Sequence, residues 1–590
     1  MYNVLLQTDF YKATHLMQFN SKITSLTSYL TPRSSRLNTT DKMVWFGIQG
    51  FVQKYLVGEF NTNFFNLEWN TIAEQFHECL GLGLGYSTER IDNTLVKVKE
   101  LYDLGYLPIR INALFEGTLV PMNVPALEIS TTKDGFAWVG QAIESLLSCS
   151  IWHPCVSATV AYEYAKIAKE AYETTVEDDI PWQTSMCDFS LRGQESNESA
   201  VASSAAWLTA FYNSSTVHAR SYIKDYYGDR EANLKIGGLT STEHSVMTSD
   251  YAITNDERET YRRLLTEVYP DVSFAAVCDS YDFWNVLTNI LPSLREEIEA
   301  HKGFIGVRHD SAEPVEALCG LPTVYLNDPN FEELNPDYDV QGFMIDHVYA
   351  MYEDDYDEQE HYIRVVFTTN KATYDKVFLV TPEYCNERGA YTDQKYWFVE
   401  SHSVEYVRET TWQDKGMVET IYELFGGIIN SKGYKVVNPK LKAVYGDSIT
   451  IPRAESIYAC LKNKGFAANN VSLGVGSFSM EAIEEYGELK PFTRDTFSIA
   501  IKATYGKLED GTEIEIYKDP KNFAGKKSLR GICVPYYGLD NKLDVAQRLN
   551  EETQFNYRTA FKTYFINGKA NGATFAWVRE NVLNNLMRGE

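Results

Sequence analysis

The sequence contains no Cys-x-x-Cys pair. Its nine cysteines are scattered over 590 residues, which excludes the usual paired-thiol zinc frameworks and points to reduced thiols in the cytoplasm. Nothing at the amino end resembles a signal peptide. No apolar run approaches the roughly 18 to 20 residues needed to span a bilayer, so no membrane partner is expected. Positive charge is scarce as well: 54 Lys and Arg stand against 81 Asp and Glu, a net charge of −27. Such a surface repels phosphate backbones and excludes a general nucleic-acid binder. It leaves open a small anionic ligand held by a few local cations.

What is present is an ordinary globular composition, 44% hydrophobic with 18 prolines. From residue 184 a rhythm of short β-rich run, polar or glycine terminus and helical pattern sets in. Met186-Cys187-Asp188-Phe189 runs into Ser190-Leu191-Arg192-Gly193, then into a helix through about Tyr212. The run 234–240, with its Gly237-Gly238 pair, delivers Ser241-Thr242-Glu243-His244-Ser245. Run 272–277 ends in Cys278-Asp279-Ser280-Tyr281-Asp282, and run 304–307 in Arg308-His309-Asp310-Ser311. Run 442–445 ends in Gly446-Asp447-Ser448, and run 471–473 in Gly474-Val475-Gly476-Ser477. Alternating β and α elements predict a parallel sheet, with functional residues at the carboxyl ends of its strands.

Upstream, a strand-like stretch over 23–30 ends at Pro32-Arg33. Helical spacing follows over 43–57, strand signals over 94–132, and helices over 139–151 and 158–174. Between 318 and 416 the rhythm stops. The acidic run Glu353 to Glu358, read as solvated surface, precedes period-two segments at 361–369, 374–380, 395–400 and 404–408, so an inserted β-rich subdomain is expected. After 495, two further strand-like runs lead to Lys518-Asp519-Pro520 and to Lys526, Lys527 and Arg530, which form a candidate anion seat.

Aspartates, arginines and a histidine at strand ends, with glycine turns and outlying lysines, suit a substrate carrying phosphate or pyrophosphate. Glycines let backbone N–H groups approach phosphate oxygens, and arginine offers a planar fork of donors. Carboxylates suit sugar hydroxyls, Mg²⁺ and positive charge developing at a glycosidic carbon. The residues by themselves imply transfer or hydrolysis on a phosphorylated sugar.

The motifs carry a resemblance. The stretch from Thr8 to His15, Asp188 to Gly193, Glu243-His244-Ser245, Asp279 to Asp282, Arg308 to Ser311, Gly446-Asp447, Thr493-Arg494-Asp495 and Tyr517 to Pro520 occur in one order. That order resembles the type II phosphoribosyltransferases, the family of the nicotinamide, nicotinate and quinolinate enzymes, and within it the nicotinamide branch. The resemblance covers nearly everything outside 318–416. It implies an α/β fold: an irregular (β/α) barrel with an additional β-rich domain from the N- and C-terminal segments, besides the inserted subdomain. The segments would be 1–150 (mostly β-rich domain), 151–317 (first part of the barrel), 318–416 (insert), 417–495 (second part of the barrel) and 496–590 (return to the β-rich domain).

The resemblance further implies a homodimer with shared active sites that joins nicotinamide to phosphoribosyl pyrophosphate, using Mg²⁺ and, where coupled, ATP. Phe189 and the partner subunit's Tyr11 would sandwich the pyridine, with Arg192 nearby. Arg308 and Asp310 would orient base and ribose. Gly446, Asp447, Gly476 and Arg494 would surround the ribose and 5′-phosphate. Arg33, Lys502 and Lys518 would hold phosphate or pyrophosphate across the dimer interface. His244 would be phosphorylated by ATP, with Asp279 orienting its other nitrogen; the Mg²⁺ would be held through the pyrophosphate.

Three departures from the family pattern bear on specificity. The nicotinamide enzymes carry an aspartate where this chain has Ser215, and a serine can accept from an amide or donate to a carboxylate. The glycine run of the phosphate loop becomes Gly474-Val475-Gly476-Ser477-Phe478-Ser479, in which Ser477 and Phe478 reshape the pocket. The insert enters between two active-site strands. A longer donor, ADP-ribose carrying an anomeric pyrophosphate, would react in the same way to give NAD directly, with Phe478 against the adenine. The residues are also compatible with a nicotinate enzyme and with a catalytically silent pyridine-nucleotide binder.

Overall fold

The computed structural model describes residues 2–228, 236–238, 240–327, 338–352, 359–388, 395–446, 448–485, 488–518 and 528–588. The chain forms two compact units, Met1–Lys166 with Cys187–Gly238 and Gly476–Glu590, and Ile167–Met186 with Leu239–Val475.

In the first unit the two ends of the chain meet in one sheet of seven strands. Ile23–Thr31 pairs antiparallel with Ala500–Leu508 on one side and Leu127–Thr131 on the other, and Ile109–Ala113 pairs with Lys562–Ile566. The strand signals over 94–132 are right only from Ile109 onward, because Thr88–Leu104 is a helix. Ser87 caps its start by accepting from Arg90 N, left-handed Gly105 ends it, and Ile91, Leu95, Val98 and Leu101 supply a buried stripe at three- and four-residue spacing. The two helices expected at 139–151 and 158–174 are largely one, Glu144–Thr175, most of which belongs to this unit and which runs through Pro154. Ile151, Cys155, Val156 and Ala158 are all buried around that proline, so packing holds the helix where a backbone bond is missing. The first unit also holds most of a short parallel pair, β1 (Met186–Asp188) and β2 (Asn213–Ser214), with Cys187 opposite Asn213 and Asp188 opposite Ser214.

In the second unit β3 (Phe274–Val277), β4 (Ile305–His309), β5 (Leu441–Tyr445) and β6 (Val471–Val475) are parallel, in the order β6-β5-β4-β3. Their register sorts the faces. His309 stacks against Tyr445 and touches Phe283 of a flanking helix, so odd-numbered residues of β4 and β5 face the helical layer. Gly306, Ala275 and Val444 share the opposite face: a Cβ on Gly306 would lie 2.8 Å from Val444 Cγ2 and 2.9 Å from Ala275 Cβ. Arg308 lies two residues beyond Gly306, on this inner face at the carboxyl end of its strand. Of the run 234–240, expected as a strand, the described residues make one isolated parallel bridge, Gly237 to Asn213, and Ser241 just beyond it makes another to Ala275.

The insert is a four-stranded sheet, Thr323–Asn327, His361–Thr368, Thr373–Arg388 and Lys395–Glu409, the first pair parallel and the rest antiparallel. Helix Tyr338–Tyr352 packs Met344 and Val348 against Ile363, Val365, Phe367, Phe378 and Val380. A buried ion network ties this sheet to helix α1 (Met417–Phe425). Arg364 donates to both oxygens of Asp375 at 2.7 and 2.6 Å and to Glu419 Oε2 at 2.7 Å. The acidic run at 353–358 and Lys526 and Lys527 lie outside the described residues.

Candidate active site

In the second unit, five of the residues singled out in the sequence converge where β3, β4 and β5 end. The Arg308 guanidinium grips Asp310 with two parallel bonds, Nε to Oδ1 at 2.8 Å and Nη2 to Oδ2 at 2.6 Å, and its Nη1 donates to Ser241 Oγ at 3.1 Å. Gly446 passes directly beneath this pair. A Cβ there would lie 2.7 Å from both Arg308 Nε and Asp310 Oδ1, so only glycine fits.

Asp279 organises the other half of the rim. Its Oδ2 accepts from Asp310 N (2.9 Å), from Ser311 N (2.8 Å) and from the Ser311 hydroxyl. Burial works against its charge, but these donors and nearby His309 prevail and hold the carboxyl below its usual range. His309 is buried, which pushes its own pKa down despite Asp279 and Asp310. Asp279 Oδ1 is buried with no hydrogen-bond partner and faces His244 Nε2 at 3.8 Å. His244 opens the helix His244–Thr254, has a side chain 53% exposed, and places Nδ1 3.1 Å from Ser280 Oγ. Asp447 lies outside the described residues.

In the first unit a second cluster forms around Asp188, which is fully buried. Its carboxylate accepts from Ser190 N at 2.9 Å and from the Ser214 hydroxyl at 2.7 Å. Its carbonyl accepts twice from Ser215, from N at 2.8 Å and from Oγ at 2.9 Å. This grip fixes the exposed Ser215 at the end of β2, as it fixes the turn carrying Phe189 and Arg192 after β1. Gly193 backs onto Ser477, whose Oγ would lie 2.0 Å from a Cβ added to that glycine. Gly476 has open space around its Cα, and the neighbouring Phe478 is 41% exposed.

Also in the first unit, Arg33, Lys502 and Lys518 line a hollow of about 360 Å³ together with Arg530 and Arg548. Arg33 is steadied by Nε donating to the Ser498 carbonyl at 3.0 Å, and Arg530 lies 3.7 Å over the Tyr517 ring. Arg494 pairs with its neighbour Asp495 at 3.1 Å. Tyr11 stands 59% exposed on a short helix, its ring edge-on to His15.

Sequence reasoning misses five rim and cluster residues as site candidates: Ser241, His309, Ser311, Asp188 and Ser214; Arg548 of the hollow is a sixth. Ser311 and His309 adjoin residues it does find, but a two-residue strand such as β2 has no periodicity to read. Among the described residues no group of three or more His, Cys, Asp or Glu side chains is placed to hold a metal ion. Among them, too, no helix is long and apolar enough to cross a membrane.

Comparison with known proteins identifies the architecture. The chain is similar to the nicotinamide phosphoribosyltransferase of Acinetobacter baylyi, 31% identical over 574 residues that cover 95% of this chain and 94% of the relative. It is 25% identical over 539 residues to the enzyme of that name from Xanthomonas campestris, covering 90% and 86%. A solved nicotinate-nucleotide pyrophosphorylase from Pyrococcus furiosus superposes with a TM-score of 0.51 at 11% identity, over 99% of this chain and 95% of that one. The fold is therefore the mixed α/β barrel type of these transferases. Residues 3–81 match the nicotinamide phosphoribosyltransferase N-terminal domain. With residues 184–388 and 394–563 matching its model, the chain belongs to the nicotinate phosphoribosyltransferase family and is a pentosyltransferase.

Proposed function

We propose that the chain joins nicotinamide to the anomeric carbon of 5-phosphoribosyl 1-pyrophosphate, releasing pyrophosphate and giving nicotinamide mononucleotide for NAD salvage. The observation that carries the acceptor is Ser215. Its hydroxyl proton is committed to the Asp188 carbonyl, so Oγ has lone pairs left to offer. These accept from a carboxamide N–H and repel a carboxylate, which disfavours nicotinate. The names of the bacterial relatives agree with that polarity.

Phe189 and the partner subunit's Tyr11 would sandwich the base, with Arg192 alongside; the exposure of Tyr11 suits a ring offered to a second copy. Arg308, aimed by Asp310, would orient base and ribose. Gly446, Asp447, Gly476, Ser477 and Arg494 would surround the ribose and its 5′-phosphate, and Arg33, Lys502 and Lys518 would take the pyrophosphate end. As pyrophosphate departs the sugar gains positive character, which the carboxylates at the rim stabilise while the pyridine nitrogen attacks. Mg²⁺ would be held through the oxygens of the pyrophosphate rather than by a side-chain cluster, and would supply charge neutralisation for the leaving group.

The orphaned Asp279 Oδ1 beside His244 fits a histidine phosphorylated by ATP. With Nε2 on the side of Asp279, the nucleophile would be Nδ1, which would exchange its contact with the Ser280 hydroxyl for the phosphoryl group. The acid-rich composition, the free thiols of the eight cysteines whose side chains are described and the small soluble substrates suit the cytoplasm.

One observation favours a second donor. Phe478 is not core but 41% exposed beside Ser477, free to meet a flat ring. ADP-ribose with an anomeric pyrophosphate would place its adenine there and yield NAD. Purified protein incubated with nicotinamide, Mg²⁺, ATP and each donor in turn, followed by mass spectrometry, separates the readings. Nicotinamide mononucleotide from the short donor is expected. Product from the long donor alone would replace that reading, and tight base binding without product from either would mark a silent relative.

A further inference from the structure

We propose that Cys319 and Cys460 are a modification site, a dithiol that closes to a reversible disulfide. Cys319 ends the helix Pro314–Cys319, which leads from the Arg308 strand into the insert. Cys460 lies in the helix Ile451–Asn463, which follows the Gly446 turn. Three contacts fix their meeting. The Cys319 thiol donates to the Ile457 carbonyl at 3.6 Å, its carbonyl accepts from Lys464 Nζ, and the two thiols are near enough for each to shift the other's pKa. Residues 457, 460 and 464 are spaced three and four apart, so they form one stripe, and Cys319 lies along it.

The surroundings divide the labour between the two sulfurs. Cys460 is partly exposed, and the adjacent Cys319 thiol and Lys464 ammonium bring its pKa down to about 7 against the effect of burial. Cys319 is buried and its pKa is raised, first by Cys460 and then by burial. Cys460 is the thiol that an external disulfide can reach and so the attacking thiolate, and the buried Cys319 is the resolving thiol. The oxidant is a small-molecule disulfide. The Cys460 thiolate attacks one of its sulfurs, that S–S bond breaks, and the released thiolate takes up a proton. Cys319, losing its proton, then attacks the Cys460 sulfur and expels the second small thiol. Two protein thiols are oxidised and one external disulfide is reduced to two thiols. The new bond clamps the helix entering the insert to the helix behind the Gly446 turn. The same stripe already bears Lys464, bonded to the Lys415 carbonyl at 3.1 Å and 3.4 Å from Glu419 in the network that anchors the insert.

The test titrates the full chain with oxidised glutathione until the exposed Cys149 carries an adduct, followed by alkylation, digestion and peptide mapping. The expected result is a joined pair of peptides holding Cys319 and Cys460, two hydrogen masses lighter than the dithiol and separated again by dithiothreitol. Cys319→Ser should stop at a glutathione adduct on Cys460, and Cys460→Ser should leave Cys319 unmodified. Recovery of both wild-type cysteines as alkylated free thiols, at an oxidant level that modifies Cys149, overturns the proposal. So does a wild-type adduct on Cys460 that never resolves to the pair, and both readouts stand without either variant.

Discussion

At Gly446 the backbone runs so close under the Arg308–Asp310 pair that a single methyl group would sit 2.7 Å from each. Gly446→Ala must push the guanidinium aside, and displacement of about 1 Å at a reacting centre costs roughly 100-fold in rate. The expected outcome is a fall in kcat/KM of about that size with little change in thermal stability, read by steady-state kinetics beside a melting curve. Ser215 makes a gentler contact. Ser215→Ala removes one neutral hydrogen bond, so KM for nicotinamide should rise about 3- to 10-fold with kcat nearly unchanged, and discrimination against nicotinate should narrow in a competition assay. Arg308, Asp310, Asp279 and His244 are legible in the sequence because charged residues rarely end a β-rich run without a task. Ser241 and Ser214 are not, since a serine in a loop looks the same whether or not an arginine or a buried aspartate leans on it.

Among elements, the helix Ile48–Phe51 is joined to the strand Leu119–Pro121 through one buried carboxylate. Glu116 Oε1 accepts from Gly47 N at 2.8 Å and Gln49 N at 3.1 Å, while Oε2 has no hydrogen-bond partner. Burial outweighs the backbone donors and the nearby Tyr227 hydroxyl and raises its pKa to about 7. The folded chain thus holds this proton more tightly than the unfolded one. The resulting stability is full below pH 4.5 and is lost as pH rises through 7, a swing of about 3 kcal/mol. Glu116→Gln should raise Tm at pH 8 and leave it unchanged near pH 4, as differential scanning fluorimetry would show. How far the elements could be read follows the same physics. Strict alternation exposes three of the insert's four strands, but its helix and its short parallel edge strand carry no such signature. The β-branched and apolar residues of Thr88–Leu104 look strand-like until Ser87 and Gly105 are recognised as its caps. Pro154 reads as a break in a helix whose buried surroundings override it.

For the whole molecule, the exposed Tyr11 makes the shared-site reading testable by mixing. Tyr11→Ala and Arg308→Ala should each be nearly inactive alone. Unfolded together and refolded, half of the dimers would be mixed and each would rebuild one intact site, restoring about a quarter of wild-type activity. Absence of any rescue, with mixed dimers demonstrated by native mass spectrometry, would place Tyr11 outside the neighbouring site. The strand–helix rhythm announces the parallel sheet and the family resemblance implies that the two ends share a domain, but nothing in the sequence marks 187–238 as part of the same compact unit. The two ends of the chain share a sheet only because strands hundreds of residues apart pair in register.

The cationic hollow of Arg33, Lys502 and Lys518 sits in a protein of net charge −27. An approaching polyphosphate is therefore repelled at long range and attracted only over the last few ångströms. Dissolved ions quiet the distant repulsion before they reach the enclosed contacts, whose partners lie well inside a Debye length of about 8 Å at physiological ionic strength. Donor capture in this molecule should consequently quicken with added salt before it slows, the reverse of an enzyme that draws its substrate in from afar.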